Sequence, residues 1–206
     1  MEKYKEQDAD HYYNIGSYHD LIMNGDKDVE SATIFISGEI ESDLIVKLNK
    51  QYRIINKYWK GKLKEINIQI DSEGGDSHII FGFFDFVNKL KNDGVLVNTR
   101  AETICQSTAT WLVAMGTGQR SAGPNCRFMI HDVQINYPEQ TSSTQFNEFS
   151  EEMKRHKRDL FKFYSLLSSN EVYKNFDFQI HYGMDSSEHY LPSIEMLNLG
   201  LIDKVY

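Results

Sequence analysis

The chain has 206 residues, 40% of them hydrophobic and 25% charged, with a formal net charge of −8. That length suits one domain with a core of its own, and an acidic balance without a long Lys/Arg run argues against nucleic acid or an anionic membrane as the main partner. Two cysteines in no pairing pattern (Cys105, Cys126), a charged start without an apolar leader and no apolar stretch of transmembrane length point to a reduced, cytoplasmic setting; scattered histidines without an HExxH or Cys/His cluster point to no metal and no cofactor.

Residues 1–30 are polar, with apolar islands such as Tyr12, Tyr13, Leu21 and Ile22, and read as an N-terminal arm or short helix ahead of a main domain over 31–206. Residues 33–37 (TIFIS) predict a short strand ended by Gly38. Ser42 is the expected cap of a helix to about Trp59, with Leu44, Ile45, Leu48, Tyr52, Ile55 and Trp59 on one face. Residues 65–70 (EINIQI) alternate as a strand should. The DSEGGD stretch that follows opens a helix over about 77–91, apolar nearly all round and therefore buried. Asn92, Asp93 and Gly94 stop it, and 95–98 is the next strand. Alternating strands and helices predict right-handed crossovers and a largely parallel sheet covered by helices, an α/β fold. Neither GxGxxG nor GxxxxGK[ST] occurs, so a dinucleotide fold and a P-loop are not indicated.

In ETICQSTATWLVAMGTG, Ser107 stands where an apolar segment gives way to a helix-like run over 108–115, closed by Gly116 and Gly118. A strand over 127–130 (RFMI) then ends on His131. A serine at a helix N-terminus has unpaired N–H groups beside it that can hold an oxyanion, and a histidine at a strand end is rigidly placed for general-base work. The same residues also fit an N-cap and a structural histidine, and spacing alone does not choose between these readings. The Gly-x-Ser-x-Gly elbow is absent. Residues 132–144 are polar, and 145–168 predict a long amphipathic helix. Its aromatics (Phe146, Phe149, Phe161, Phe163, Tyr164) exceed what a sheet already covered by two apolar helices needs, which predicts either an interface or intramolecular packing. Residues 172–184 admit a short helix; 191–199 predict the last helix, ended by Gly200, and Leu201, Ile202 and Val205 a terminal strand.

Four stretches, in this order, resemble the Clp protease proteolytic subunit (ClpP) family: TIFISGEI, IDSEGG, the block from Ser107 to His131 with its PNCRFMIH ending, and GLIDKVY. The resemblance implies a ClpP/crotonase-like spiral of repeated β-β-α turns with a protruding handle, here roughly 133–170. It implies Ser107 as nucleophile, His131 as general base, and the N–H groups of Gly75 and Thr108 as oxyanion hole. An ungapped count back from GLID places the acid on Glu188, with Asp185 as the competitor. It further implies unfolded polypeptide as substrate, a heptameric homo-oligomeric ring that stacks into a tetradecamer, and an AAA+ unfoldase as partner. This chain departs from the family at Thr103, Cys105, Gln106, Thr108 and Ala109, at SEGG, at Asp132 and Val133, and in QINYPEQTSST in place of a glycine-rich strand. These are the marks of a divergent member, for which a phage origin is one reading. They keep two alternatives in view: a catalytically impaired structural subunit, and a crotonase-like acyl-CoA enzyme on the same spiral.

Overall fold

The computed structural model describes residues 11–14, 20–23, 31–133, 142–183 and 187–206. Its elements are β1 (His11–Asn14), β2 (Asp20–Met23), β3 (Ser31–Ile40), α1 (Leu44–Tyr58), β4 (Glu65–Gly75), α2 (Ile79–Asn92), β5 (Leu96–Gln106), α3 (Thr108–Ala114), β6 (Arg120–Ala122), β7 (Arg127–Ile130), α4 (Ser143–Leu167), a 3-10 turn (Glu171–Tyr173), α5 (Phe178–Tyr182), β8 (His189–Pro192), α6 (Ser193–Asn198) and β9 (Lys204–Val205). The sheet runs β1-β2-β3-β4-β5-β6-β9, and β7 and β8 continue beside the far half of β5. All pairings from β3 to β7, and that of β9, are parallel; β8 and the β1–β2 hairpin are antiparallel. This is the α/β architecture expected from the alternation, with helices over a mostly parallel sheet. Residues 11–14 and 20–23 are strands added to β3, where an arm or short helix was expected.

The core follows from the strand period. Ile66, Ile68 and Ile70 of β4 are fully buried, as are Ile34 and Ile36 of β3 and Val97 and Ala101 of β5. Burying each large aliphatic contributes about 1.5–3 kcal/mol. From α1 come Leu44, Leu48 and Ile55, and from α2 Ile80, Phe83, Val87 and Leu90. The α2 face is less completely covered than its composition suggests, since Phe81 is 36% exposed.

Several expected boundaries move, each for a local reason. Gly38 does not end β3: at φ +73° it forms a bulge between Ser37 and Glu39, after which pairing with β4 resumes. Ser42 does not cap α1; the helix starts at Leu44 with Asp43 before it and no side-chain cap, and Lys47 reaches back to Glu41 and Asp43 at 2.9 and 2.8 Å. The strands expected over 65–70 and 95–98 run on to Gly75 and Gln106. The helix expected over 191–199 divides, because 189–192 pair with β7 and Pro192, lacking an N–H, stands before α6.

The handle helix α4 opens with a capping box: Ser142 Oγ accepts from Gln145 N at 3.3 Å, and Gln145 Oε1 from Ser142 N at 3.1 Å. Its aromatic stripe turns mostly inward. Phe161 and Tyr164 are buried, and Phe163 packs edge-on to Phe81 and Phe84 at 5.6 and 4.7 Å. The surplus of aromatic area read from the sequence is therefore absorbed within the chain, apart from Phe146, 44% exposed. Residues 134–141, which open the expected handle and hold most of QINYPEQTSST, lie outside the described residues.

One partly buried ion pair closes the fold. Arg120 on β6 donates from Nε to Asp203 Oδ2 at 3.0 Å and from Nη2 to Asp203 Oδ1 at 2.5 Å. Its Nη1 donates to Leu167 O at 2.8 Å, so the end of α4, β6 and the chain just before β9 meet at one guanidinium.

Candidate active site

The DSEGG stretch sets up the site residue by residue. Between Ile70 and Ser72 the pairing of β4 with β5 jumps from Ala101 to Cys105, so β5 bulges. Asp71 Oδ1 holds that bulge by accepting from Thr103 N at 3.2 Å and Ile104 N at 2.8 Å. Ser72, fully buried, donates from Oγ to Gly38 O at 2.5 Å and accepts from Gly74 N at 3.0 Å, locking the β3 bulge to the glycine pair. Gly74 has φ +101°, and a Cβ there would lie 2.7 Å from both Gln106 O and Ser107 Cβ. Only glycine lets β4 pass this close to Ser107. Gly75 at φ +150° presses equally on Ile40, whose O would be 2.2 Å from an added Cβ. Asp76 N donates to Ile40 O at 2.9 Å, so the Gly75 groups face the other side, where Gly75 O accepts from Thr108 Oγ1 at 2.8 Å.

Ser107 sits at the turn from β5 into α3 with φ +49° and ψ −126°, a conformation costing an L-residue about 1–3 kcal/mol. It does not cap the helix with its side chain. Its Oγ lies 2.7 Å from His131 Nε2, on the residue after β7. The alignment follows from the sheet: β7 pairs with the last residues of β5 (Gln106 opposite Met129), and Ser107 N donates to Met129 O at 2.8 Å. A serine hydroxyl donating to Nε2 places the imidazole proton on Nδ1. Ser107, His131, Thr108 and Gly75 line one cleft of about 550 Å³. A serine hydroxyl this close to an imidazole can be activated as a nucleophile, and Gly75 and Thr108 lie on the same cleft.

Glu188 stands next to the last pair of β7 with β8, Ile130 opposite His189, so its backbone is close to His131. Its side chain turns elsewhere: it is exposed, and Oε2 accepts from Tyr190 Oη at 2.7 Å. Asp185, the competitor, lies outside the described residues. The two cysteines offer no rival nucleophile. Burial pushes the Cys105 thiol well above its usual range and that of Cys126 up to about 12, so both stay protonated at neutral pH. Among the described residues no group of three or more His, Cys, Asp or Glu could hold a metal ion, and no helix is long and apolar enough to cross a membrane.

The sequence does not single out the rest of the cleft. Its wall draws Glu39 from β3, Asp76 and His78 from the turn before α2, Trp111 from α3, and Phe149 and Met153 from α4. His78 is stacked on His156 of α4 at 5.0 Å and reaches Asp76 Oδ1 from Nδ1 at 3.0 Å, while His156 Nε2 is 3.3 Å from Ser77 Oγ. These contacts join positions about 80 residues apart, which no local period reveals. The sequence model of a family described as Clp protease matches residues 24–206.

Proposed function

On the premise that the chain belongs to the Clp protease family, we propose that it is a serine endopeptidase in which Ser107 is the nucleophile and His131 the general base. Support comes above all from the 2.7 Å approach of Ser107 Oγ to His131 Nε2 at a strained turn beside the glycine pair. Ser107 Oγ attacks the peptide carbonyl carbon as its proton passes to His131 Nε2. The carbonyl oxygen becomes an oxyanion facing the N–H groups of Gly75 and Thr108. As the intermediate collapses, the C–N bond breaks and His131 returns the proton to the leaving amine. Water, deprotonated by the same imidazole, then hydrolyses the acyl-enzyme and restores Ser107.

The orienting acid comes from the segment ahead of β8. Glu188 serves if its carboxylate exchanges Tyr190 for the His131 ring, and Asp185 is the neighbour against which it is tested. Family membership, and no longer the handle aromatics, supports a cytoplasmic heptameric ring that stacks in pairs, unfolded polypeptide as substrate and an AAA+ unfoldase as partner.

A fluorophosphonate probe with peptide mapping should label Ser107, and labelling should vanish in Ser107→Ala and His131→Ala. Hydrolysis of a fluorogenic peptide should fall on the order of 10⁴-fold or more with Ser107→Ala. Glu188→Ala should slow it less, and Asp185→Ala hardly at all. Unlabelled wild-type protein whose Ser107→Ala variant is equally active would remove the peptidase assignment; loss in Asp185→Ala alone would move the acid.

A further inference from the structure

The conformation of Ser107 needs a restraint, and the structure supplies one from outside the elements that carry Ser107 and His131. The Ser107 carbonyl accepts twice from one residue: from Thr110 N at 3.0 Å and from Thr110 Oγ1 at 2.6 Å. The Thr110 hydroxyl has a single proton, and that proton is spent on this carbonyl. Its lone pairs remain, and Tyr164 Oη of α4 is in hydrogen-bond contact with Thr110 Oγ1. Tyr164 is therefore the donor. Burial pushes its phenol well above the usual range, so the proton stays in place at neutral pH. Thr110 and Tyr164 are both fully buried.

Tyr164 is itself held. Its ring stacks on Trp111 at 4.4 Å and 19°. Trp111 Nε1 donates to Leu160 O at 3.1 Å, one turn earlier on α4. Two consecutive residues of α3 are thus tied to two consecutive turns of the handle helix.

A peptide unit is planar, and its C=O and N–H point in opposite directions. The carbonyl of Ser107 and the N–H of Thr108 belong to the same unit. Fixing the direction of that carbonyl fixes the direction of the N–H assigned to the oxyanion hole. We propose that Thr110 and Tyr164 are positioning residues: the chain Tyr164 Oη to Thr110 Oγ1 to Ser107 O sets the peptide plane that aims the Thr108 N–H at the oxyanion and holds Ser107 Oγ on His131. The inference rests on the peptidase reading. It gives the handle helix a role in the chemistry although it contributes neither nucleophile nor base.

The test is kinetic. Thr110→Val keeps the shape and removes the hydroxyl; Thr110→Ser keeps the hydroxyl; Tyr164→Phe keeps the stacking and removes the donor. Since the oxyanion donor is misaimed and not deleted, Thr110→Val should lower kcat about 10–100-fold, less than the loss of a whole donor, with KM within about twofold. Thr110→Ser should recover kcat to within about threefold of wild type, and Tyr164→Phe should lie between, roughly three- to tenfold down. The rate of fluorophosphonate labelling of Ser107 should follow kcat. Thr110→Val combined with Tyr164→Phe should be no slower than Thr110→Val alone, because both break one chain. Should Thr110→Val not fold, Tyr164→Phe and Thr110→Ser carry the same comparison. Thermal midpoints that fall while kcat and labelling hold would reduce both residues to core packing and overturn the inference. So would a Thr110→Ser as slow as Thr110→Val, or an effect confined to KM. Wild-type protein that neither labels nor cleaves would overturn the peptidase reading and this inference together; wild type that labels, beside variants that label equally fast, would overturn only the inference.

Discussion

Truncating Asp203 to alanine should lower the stability of the fold by about 2–4 kcal/mol. The side chain of Arg120 is only 8% exposed, and Asp203 supplies both acceptors that neutralise it, at 3.0 and 2.5 Å. Without Asp203 the guanidinium keeps the carbonyls of Leu167 and Ala114, at 2.8 and 3.3 Å, which satisfy donors but carry no charge. Breaking a wholly buried pair costs about 3–5 kcal/mol. The Asp203 side chain is 35% exposed, so water takes over part of its role and the cost drops about 1 kcal/mol below that range. In a domain of this size each kcal/mol moves the melting temperature by about 2–4 °C, giving a loss of roughly 4–16 °C by circular dichroism at neutral pH. The double variant Arg120→Met, Asp203→Leu should recover most of it, because no charge is stranded. The pH dependence has a definite sign. Burial alone would raise the Asp203 carboxyl, but the hydrogen bonds from Arg120 hold it below the usual carboxylate range. Its contribution is therefore fully present above the unfolded value of about 3.9 and is lost as pH falls through the lower folded value. The gap between wild type and Asp203→Ala should begin to close only below about pH 4. A shift under about 2 °C at neutral pH, or a double variant no better than the single, would refute the argument.

Gly74→Ala should cost at least about 2 kcal/mol and abolish labelling of Ser107, since the new methyl would sit 2.7 Å from Gln106 O and Ser107 Cβ; unchanged urea midpoint and labelling would show that β4 yields there. Burial, and then His78, hold His156 below the usual imidazole range against Asp159, Glu152 and Asp76. Its contribution is thus full above about pH 6.5 and lost as pH falls through the lower folded value, and His156→Gln should flatten urea midpoints between pH 7 and 5; a slope unchanged by the substitution would place the titration elsewhere. Light scattering at micromolar concentration should give a mass many times that of the chain, and a clean monomer across salt and concentration would count against the ring.

The elements with a clear period were legible in the sequence: β4 from its alternating isoleucines, α2 from its apolar density, α4 from its stripe. Their ends were not. Strand β4 continues through DSEGG because Glu39 and Ile40 resume pairing beyond the Gly38 bulge, and β5 continues because Asp71 bridges its own bulge. Those devices depend on side chains about 30 residues away, whereas a turn-like composition is local. Of the site, Ser107 and His131 stood out by position, and the family resemblance supplied their roles and the glycine pair. Ser107's backbone angles and the Thr110–Tyr164 contact could not be foreseen, because Thr110 looks like an ordinary helix residue and Tyr164 like one more member of an apolar stripe. The direction of the handle aromatics was open for a related reason: a stripe states that a face is covered, and not by what.

The pairing of Arg120 with Asp203 also has a meaning in time. The two are 83 residues apart in the chain. At usual rates of translation, Arg120 is made about 4–17 s before its carboxylate. A guanidinium without a counter-charge costs several kcal/mol to bury, which disfavours the place of β6 between β5 and β9 during that interval. Strands β3, β4 and β5, with α1 and α2 between them, pair with one another without Asp203 and can begin to dock earlier. The β6 edge of the sheet thus stays wet in the nascent chain until Asp203 has been made, and Asp203 then lets that edge enter the interior.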